Sequence, residues 1–220
     1  MKVDGLFVGK IQRLASEGQP TGIYKTSTQN VQVNSNGIAG DQHADRSVHG
    51  GPEKAVHQIG WACYRMISEK FAHLRDQLRP GALGENIFST CMDDSNVSIG
   101  DRFQIGSVVL EVCQPRQPCW KINHKFNDDR LARFIGEANI AGWYFRVLEP
   151  GLIALGDSIV RIEKGRGAVS VAEFQCLMGS RRLSECDFDR LLTIPGLAGD
   201  WQRRILQRRA YFRSRSLRGE

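Results

Sequence analysis

Across its first 160 residues the chain keeps its apolar stretches short and separates them with Gly and Asp turns, and that rhythm restricts the fold more than any other feature. The stretches are Leu6 to Ile11, Asn86 to Phe88, Arg102 to Ile105, Val108 to Val112, Trp143 to Leu148 and Ser158 to Ile162. Val108 to Val112 is rich in β-branched apolar residues, which suits a buried strand. Ile99-Gly100-Asp101 and Leu155-Gly156-Asp157 each lead into an alternating strand, as turn-then-strand units do at a barrel rim. Two helices interrupt this pattern. Trp61 to Phe71 has Trp61, Tyr64, Ile67 and Phe71 at helical spacing, and Asp128 to Glu137 opens with acids and carries Leu131, Phe134 and Ile135 on one face. The expected class is mostly β with α.

The composition changes after Glu163. Lys164-Gly165-Arg166-Gly167 reads as a basic linker, and three short helices follow it. Ser170 with Glu173 and Ser184 with Asp187 are capping pairs for the first two, and Asp200 is the expected cap of the third. The 220 residues therefore divide into a β domain at 1–163 and a three-helix domain at 164–220. A helical unit this small is expected to lean on the β domain or on a second subunit, so a homodimer stays open. Residues 161–220 hold 13 basic and 7 acidic residues, which accounts for the whole net charge of +6. Seven arginines lie between Arg203 and Arg218, but no nucleic-acid-binding motif surrounds them, and a solvated helix surface is the favoured reading over nucleic-acid binding. No apolar run is long enough for a membrane span, and the N-terminus does not read as a secretory signal. A cytoplasmic location is expected, with the six cysteines as free thiols.

Four segments are chemically dense. Gln114-Pro115-Arg116-Gln117-Pro118-Cys119-Trp120-Lys121 follows an apolar strand, and its two prolines suggest a stiff exit from that strand. Arg116, Lys121 and His124 favour the thiolate of Cys119, the form that ligates metal or attacks, against the plainer reading of a packed cysteine beside Trp120. Cys113 reads as core. In Gly37 to Val56, the turn His49-Gly50-Gly51-Pro52 allows a ligand close to the backbone N–H groups and suits an anion; the alternative is a hairpin connection. Lys25 is either a charge at a strand end or a surface lysine. Gly81 to Asn86 is either a loop at a cavity mouth or a plain turn. No dinucleotide-binding, Walker, nucleophile-elbow or iron–sulfur pattern occurs.

Together these loops resemble the MOSC domain, and within it the YiiM-like group. The resemblance is carried by Gly40-Asp41, Asp45-Arg46, His49-Gly50-Gly51-Pro52 with Lys54-Ala55-Val56, Gly84-Glu85-Asn86, Gly100-Asp101, and the segment from Gln114 to Lys121. It covers nearly the whole chain, with the three helices matching the small α-helical domain that follows MOSC in that group. The resemblance implies a bacterial-type MOSC β-barrel-like core and a molybdenum cofactor (molybdopterin) whose metal is bound by Cys119. It implies reduction of N-hydroxylated compounds such as 6-hydroxylaminopurine: R–NHOH, two electrons and two protons give R–NH2 and water. By that likeness Gly50, Gly51, Arg116 and Asn86 bind cofactor, while Lys25 and His49 position substrate or supply protons beside Cys119. The family also has an association with pyridoxal phosphate binding, to which no residue here is attached. With no flavin or iron–sulfur motif in the chain, electrons are expected from a separate flavoprotein. The alternative is a persulfide carrier or sulfurtransferase using Cys119 as nucleophile. The helices are expected to be accessory: a cut near Gly165 to Gly167 should leave a β domain that still binds cofactor.

Overall fold

The computed structural model describes residues 1–15, 18–45, 47–167 and 169–216, without the side chains of 215 and 216. Eight strands form the main sheet: β1 (Gly5–Val8), β4 (Thr26–Ser27), β7 (Val56–Gly60), β8 (Ile87–Ser89), β9 (Arg102–Ile105), β10 (Val108–Pro115), β11 (Trp143–Glu149) and β13 (Ile159–Glu163). Their order is β13-β9-β10-β11-β7-β8-β1-β4. All pairings are antiparallel except β7 with β8, which are joined through α1 (Trp61–Lys70). The chain just before β1 closes back on the far edge: Val3 donates its N–H to the Asp157 carbonyl (2.9 Å), and Ile159 donates to the Met1 carbonyl (2.8 Å). The sheet therefore curls around one core of Val33, Phe103, Leu110, Trp143 and Phe145. The two look-alike Gly-Asp segments lead to neighbours, because β9 and β13 pair directly.

Smaller sheets edge this frame: β2 (Gln12–Arg13) with β3 (Pro20–Thr21), and β5 (Asn30–Asn34) between β6 (Gly37–Ile38) and β12 (Gly151–Ala154). Helices α1, α2 (Lys121–Phe126) and α3 (Leu131–Glu137) cover the sheet beside β7 and bury Ile59, Tyr64, Ile67, Leu83, Ile122 and Ile135.

Two expectations need correction. The strand expected to end at Val112 continues to Pro115 after a bulge, pairing Gln114 with Tyr144 and Pro115 with Trp143. Proline is tolerated there because β9 pairs only as far as Glu111, so that side of Pro115 needs no ladder donor. The other concerns the last helix. After β13 come α4 (Val171–Gly179), α5 (Glu185–Leu192) and α6 (Gly199–Ser216). Ser170 accepts the Glu173 N–H, and Ser184 with Asp187 completes a capping box. Asp200 does not cap α6. It lies inside the first turn paired with Arg203, and the Gly199 N–H donates to the Glu53 carboxylate at 3.1 Å and 3.2 Å. An acid from the β region thus stands at the positive end of the helix. The helices also reach the sheet through Val171, which packs in the main core, and through Ala198, whose N–H donates to the Cys113 carbonyl (2.9 Å). Arg218 lies outside the described residues. Arg209 and Arg213 pair with Glu185 on α5.

Candidate functional site

The loop from β10 to α2 is held at several points. The Arg116 N–H donates to the Gly142 carbonyl (2.9 Å), and Lys121 Nζ donates to the Pro20 carbonyl (2.7 Å). The Cys119 carbonyl accepts the Ile122 N–H (3.0 Å), which starts α2 against the cysteine. Cys119 itself is half-buried, and all six cysteines are free thiols. Arg116 is 5% exposed. Its Nη2 donates to the Leu83 carbonyl (2.9 Å), while Nη1 is buried with no partner.

The facing wall comes from β7, the entry to β8 and the loop before β7. Successive residues entering β8 point opposite ways. Asn86 faces the site: its Oδ1 accepts the His57 N–H (3.1 Å), and its Nδ2 donates to the Phe7 carbonyl (3.2 Å) and to Asp41 (3.0 Å). Glu85 faces α1 and accepts from the Tyr64 hydroxyl. Asp41 also accepts the Gly9 N–H (2.7 Å) and pairs with Lys25 Nζ. Lys25 is therefore an internal, fixed charge and not a surface lysine.

These walls bound a narrow recess lined by Lys25, His49, His57, Arg116, Cys119 and Tyr144, among others. A broader cleft shares His49, Cys119, Lys121 and Tyr144 with it and runs outward to Asp200, Trp201 and Arg204 of α6. Burial, then the nearby Arg116 charge, pushes His49 down to about 4 and drives His57 well below the usual imidazole range. Burial raises the Tyr144 phenol and lowers the Lys125 ammonium to about 8. At neutral pH His49 and His57 are therefore neutral imidazoles and Tyr144 a protonated phenol, beside a guanidinium with one nitrogen unmatched.

The structure brings Cys119, Arg116, Lys25, His49 and Asn86 to one recess. It does not bring Gly50 and Gly51 there. They line a neighbouring recess with Asn34, Asn36 and His43, and His43 borders both. Both glycines have positive φ, 76° and 86°. Arg46 lies outside the described residues. Sequence reasoning missed His57 and Tyr144, which face one another across β7 and β11 with ring centroids 5.1 Å apart. The β10–β11 and β7–β11 registers are long-range facts, and nothing in their neighbours signals them. It also assigned no site residue to the helices, where Trp201 and Arg204 now stand in the cleft wall.

A mostly β frame presenting one cysteine from a stiff loop beside a buried arginine defines a class, and the comparison agrees with it. The MOSC domain family matches residues 45–160, more than half the chain, and the chain belongs to that family. MOSC domains are associated in general with molybdenum-cofactor binding. Among relatives, Protein YiiM of Escherichia coli (strain K12) is 29% identical over 205 residues, 93% of this chain and 91% of that protein. A protein named Reductase from Gibberella moniliformis is 38% identical over 179 residues, 80% of this chain but 32% of that protein. The crystal structure of YiiM from Geobacillus stearothermophilus superposes with a TM-score of 0.79 at 26% identity, covering 94% of this chain and 98% of that one.

Proposed function

We propose that the chain is a molybdenum-cofactor-dependent oxidoreductase that reduces N-hydroxylated compounds, such as 6-hydroxylaminopurine, to amines. The observation that carries this reading is Arg116 Nη1, buried without a partner in the same recess as the free Cys119 thiol. A buried guanidinium nitrogen left without an acceptor is costly, and an anionic ligand would satisfy it. The molybdenum cofactor fits both features, being an anionic pterin with a metal that takes a soft thiolate. Cys119 would hold the metal and Arg116 an anionic part of the pterin. Among the described residues no group of three His, Cys, Asp or Glu is placed to hold a metal, so a metal at Cys119 needs to bring ligands of its own. When bound, the cofactor supplies the two-electron chemistry that removes the N–O oxygen.

The chain's own groups have narrower duties. Asp41 holds Lys25, so Lys25 keeps a fixed charge on the recess wall. His49, pushed down to about 4, is neutral near pH 7 and acts as a hydrogen-bond partner that orients substrate or relays a proton. Asn86 is committed to Asp41, His57 and Phe7 and shapes the wall. Gly50 and Gly51 meet the cofactor only if it extends past His43. The fungal relative's name supports a reductase role, and the electrons here come from a separate flavoprotein.

The test is direct. Protein produced in a cofactor-competent host is reduced chemically and given 6-hydroxylaminopurine. Adenine forms with the wild type, and Arg116→Gln lowers both pterin content and product. A protein fully loaded with molybdenum and pterin that forms no amine from any N-hydroxylated compound would defeat the proposal.

A further inference from the structure

We infer that substrate occupies the broad cleft between the Cys119 loop and the first turn of α6, and that Arg204 there selects aromatic substrates bearing an anionic group. This rests on the reductase reading above. Two spaces meet at Cys119, since His49, Cys119, Lys121 and Tyr144 border both. The inner one contains the unmatched Arg116. The outer one is wider and leaves Trp120 44% exposed in its wall, with the ring edge-on to His124 at 4.9 Å. A large ring left partly open beside the Cys119 thiol is a surface for a planar ligand.

The cleft carries a small excess of positive charge. Lys54, Lys121 and Arg204 line it against Asp45 and Asp200. Both acids are engaged: Asp45 accepts from the Ser47 N–H (3.0 Å) and hydroxyl (2.6 Å), and Asp200 pairs with Arg203. Arg204 is the best placed of the three cations. Its guanidinium lies over the Trp201 ring at 5.1 Å, and Nη1 donates to Gln117 Oε1 (2.7 Å), two residues from Cys119. Gln117 takes one of five N–H donors, and a guanidinium pairs with a carboxylate or phosphate through two. The wall is rigid as well, because Ala198 and Gly199 at the start of α6 are hydrogen-bonded to Cys113 and Glu53. The helical unit thus supplies part of the site that the sequence placed wholly in the β region.

The experiment compares two N-hydroxylated probes, neutral phenylhydroxylamine and 4-(hydroxyamino)benzoate, as substrates of the cofactor-loaded full chain. In parallel, the product amines aniline and 4-aminobenzoate are titrated calorimetrically into the same protein. The wild type should favour the carboxylate by about tenfold in kcat/KM, chiefly through KM, and bind 4-aminobenzoate more tightly than aniline. Arg204→Gln should erase both preferences, Arg204→Lys should restore part of them, and Arg203→Gln should leave them intact. Trp120→Leu should raise KM for both probes. A preference that survives Arg204→Gln, or that falls equally with Arg203→Gln, overturns the assignment. If neither probe is turned over, the calorimetric arm alone decides the cleft, while turnover of 6-hydroxylaminopurine decides the reductase reading.

Discussion

The Lys25 ammonium is buried against the Asp41 carboxylate at the inner wall of the recess, with the two side chains 4% and 2% exposed. Asp41 also holds the Gly9 N–H and the Asn86 amide, so it links the β1 end to the β8 entry. Removing one partner of a buried pair leaves the other charge uncompensated, which costs about 3–5 kcal/mol. Asp41→Ala should lose stability on that scale in urea unfolding. Adding Lys25→Met should recover part of it. Loss below about 1 kcal/mol in the single variant would show that water reaches Lys25.

His49 gives a pH signature. Its folded value of about 4 lies below the ordinary 6.5, so between those values the unfolded chain binds more protons. Its contribution is complete above pH 6.5 and is lost as the pH falls toward 4. His49→Asn should therefore lose less stability than the wild type over that interval. Parallel pH curves for the two proteins would contradict the burial of His49.

Asp94 acts in the opposite direction. Its Oδ1 accepts the Gly142 N–H (2.9 Å), its Oδ2 is buried without a partner, and burial pushes it up to about 7 from the ordinary 3.8. The folded chain then binds the extra proton, so this contribution is complete below 3.8 and is lost as pH rises through 7. Asp94→Asn should gain in melting temperature relative to the wild type on going from pH 5 to pH 8. An unchanging difference would mean that the carboxyl is already ionised at pH 5.

Gly51 has φ 86° and ψ 172°, a combination that is essentially glycine's, yet a Cβ built there meets nothing within 4 Å. Gly51→Val should cost about 1–3 kcal/mol from backbone strain alone. Because Gly51 lines the neighbouring recess, the sequence-based expectation of weaker cofactor binding holds only if the cofactor reaches past His43. Measuring pterin retention beside melting separates the two effects.

Local pattern was enough to read some elements and not others. Arg102 to Ile105 alternates cleanly between turns, and β9 has those bounds. Ser184 and Asp187 carry their capping box in four residues. The two-residue strands β2, β3, β4 and β6 were not legible, because they exist only through their partners. The same division holds for the site. Arg116 and Cys119 share one short loop whose prolines and cations are visible in a line of sequence. His57 and Tyr144 meet through the β7–β11 register, and Arg204 reaches Gln117 across 87 positions. Such contacts depend on how the sheet curls and where α6 docks, which no local periodicity encodes.

The central claim is that Cys119 holds a molybdenum cofactor in the recess beside Arg116. Molybdenum and pterin content of the purified full-length protein, wild type against Cys119→Ala, tests it most directly. About one molybdenum per chain is expected in the wild type and almost none in the variant, with both proteins folded by circular dichroism. Equal molybdenum in both proteins, or a wild type that carries a persulfide on Cys119 and no metal under cofactor-competent expression, would contradict it.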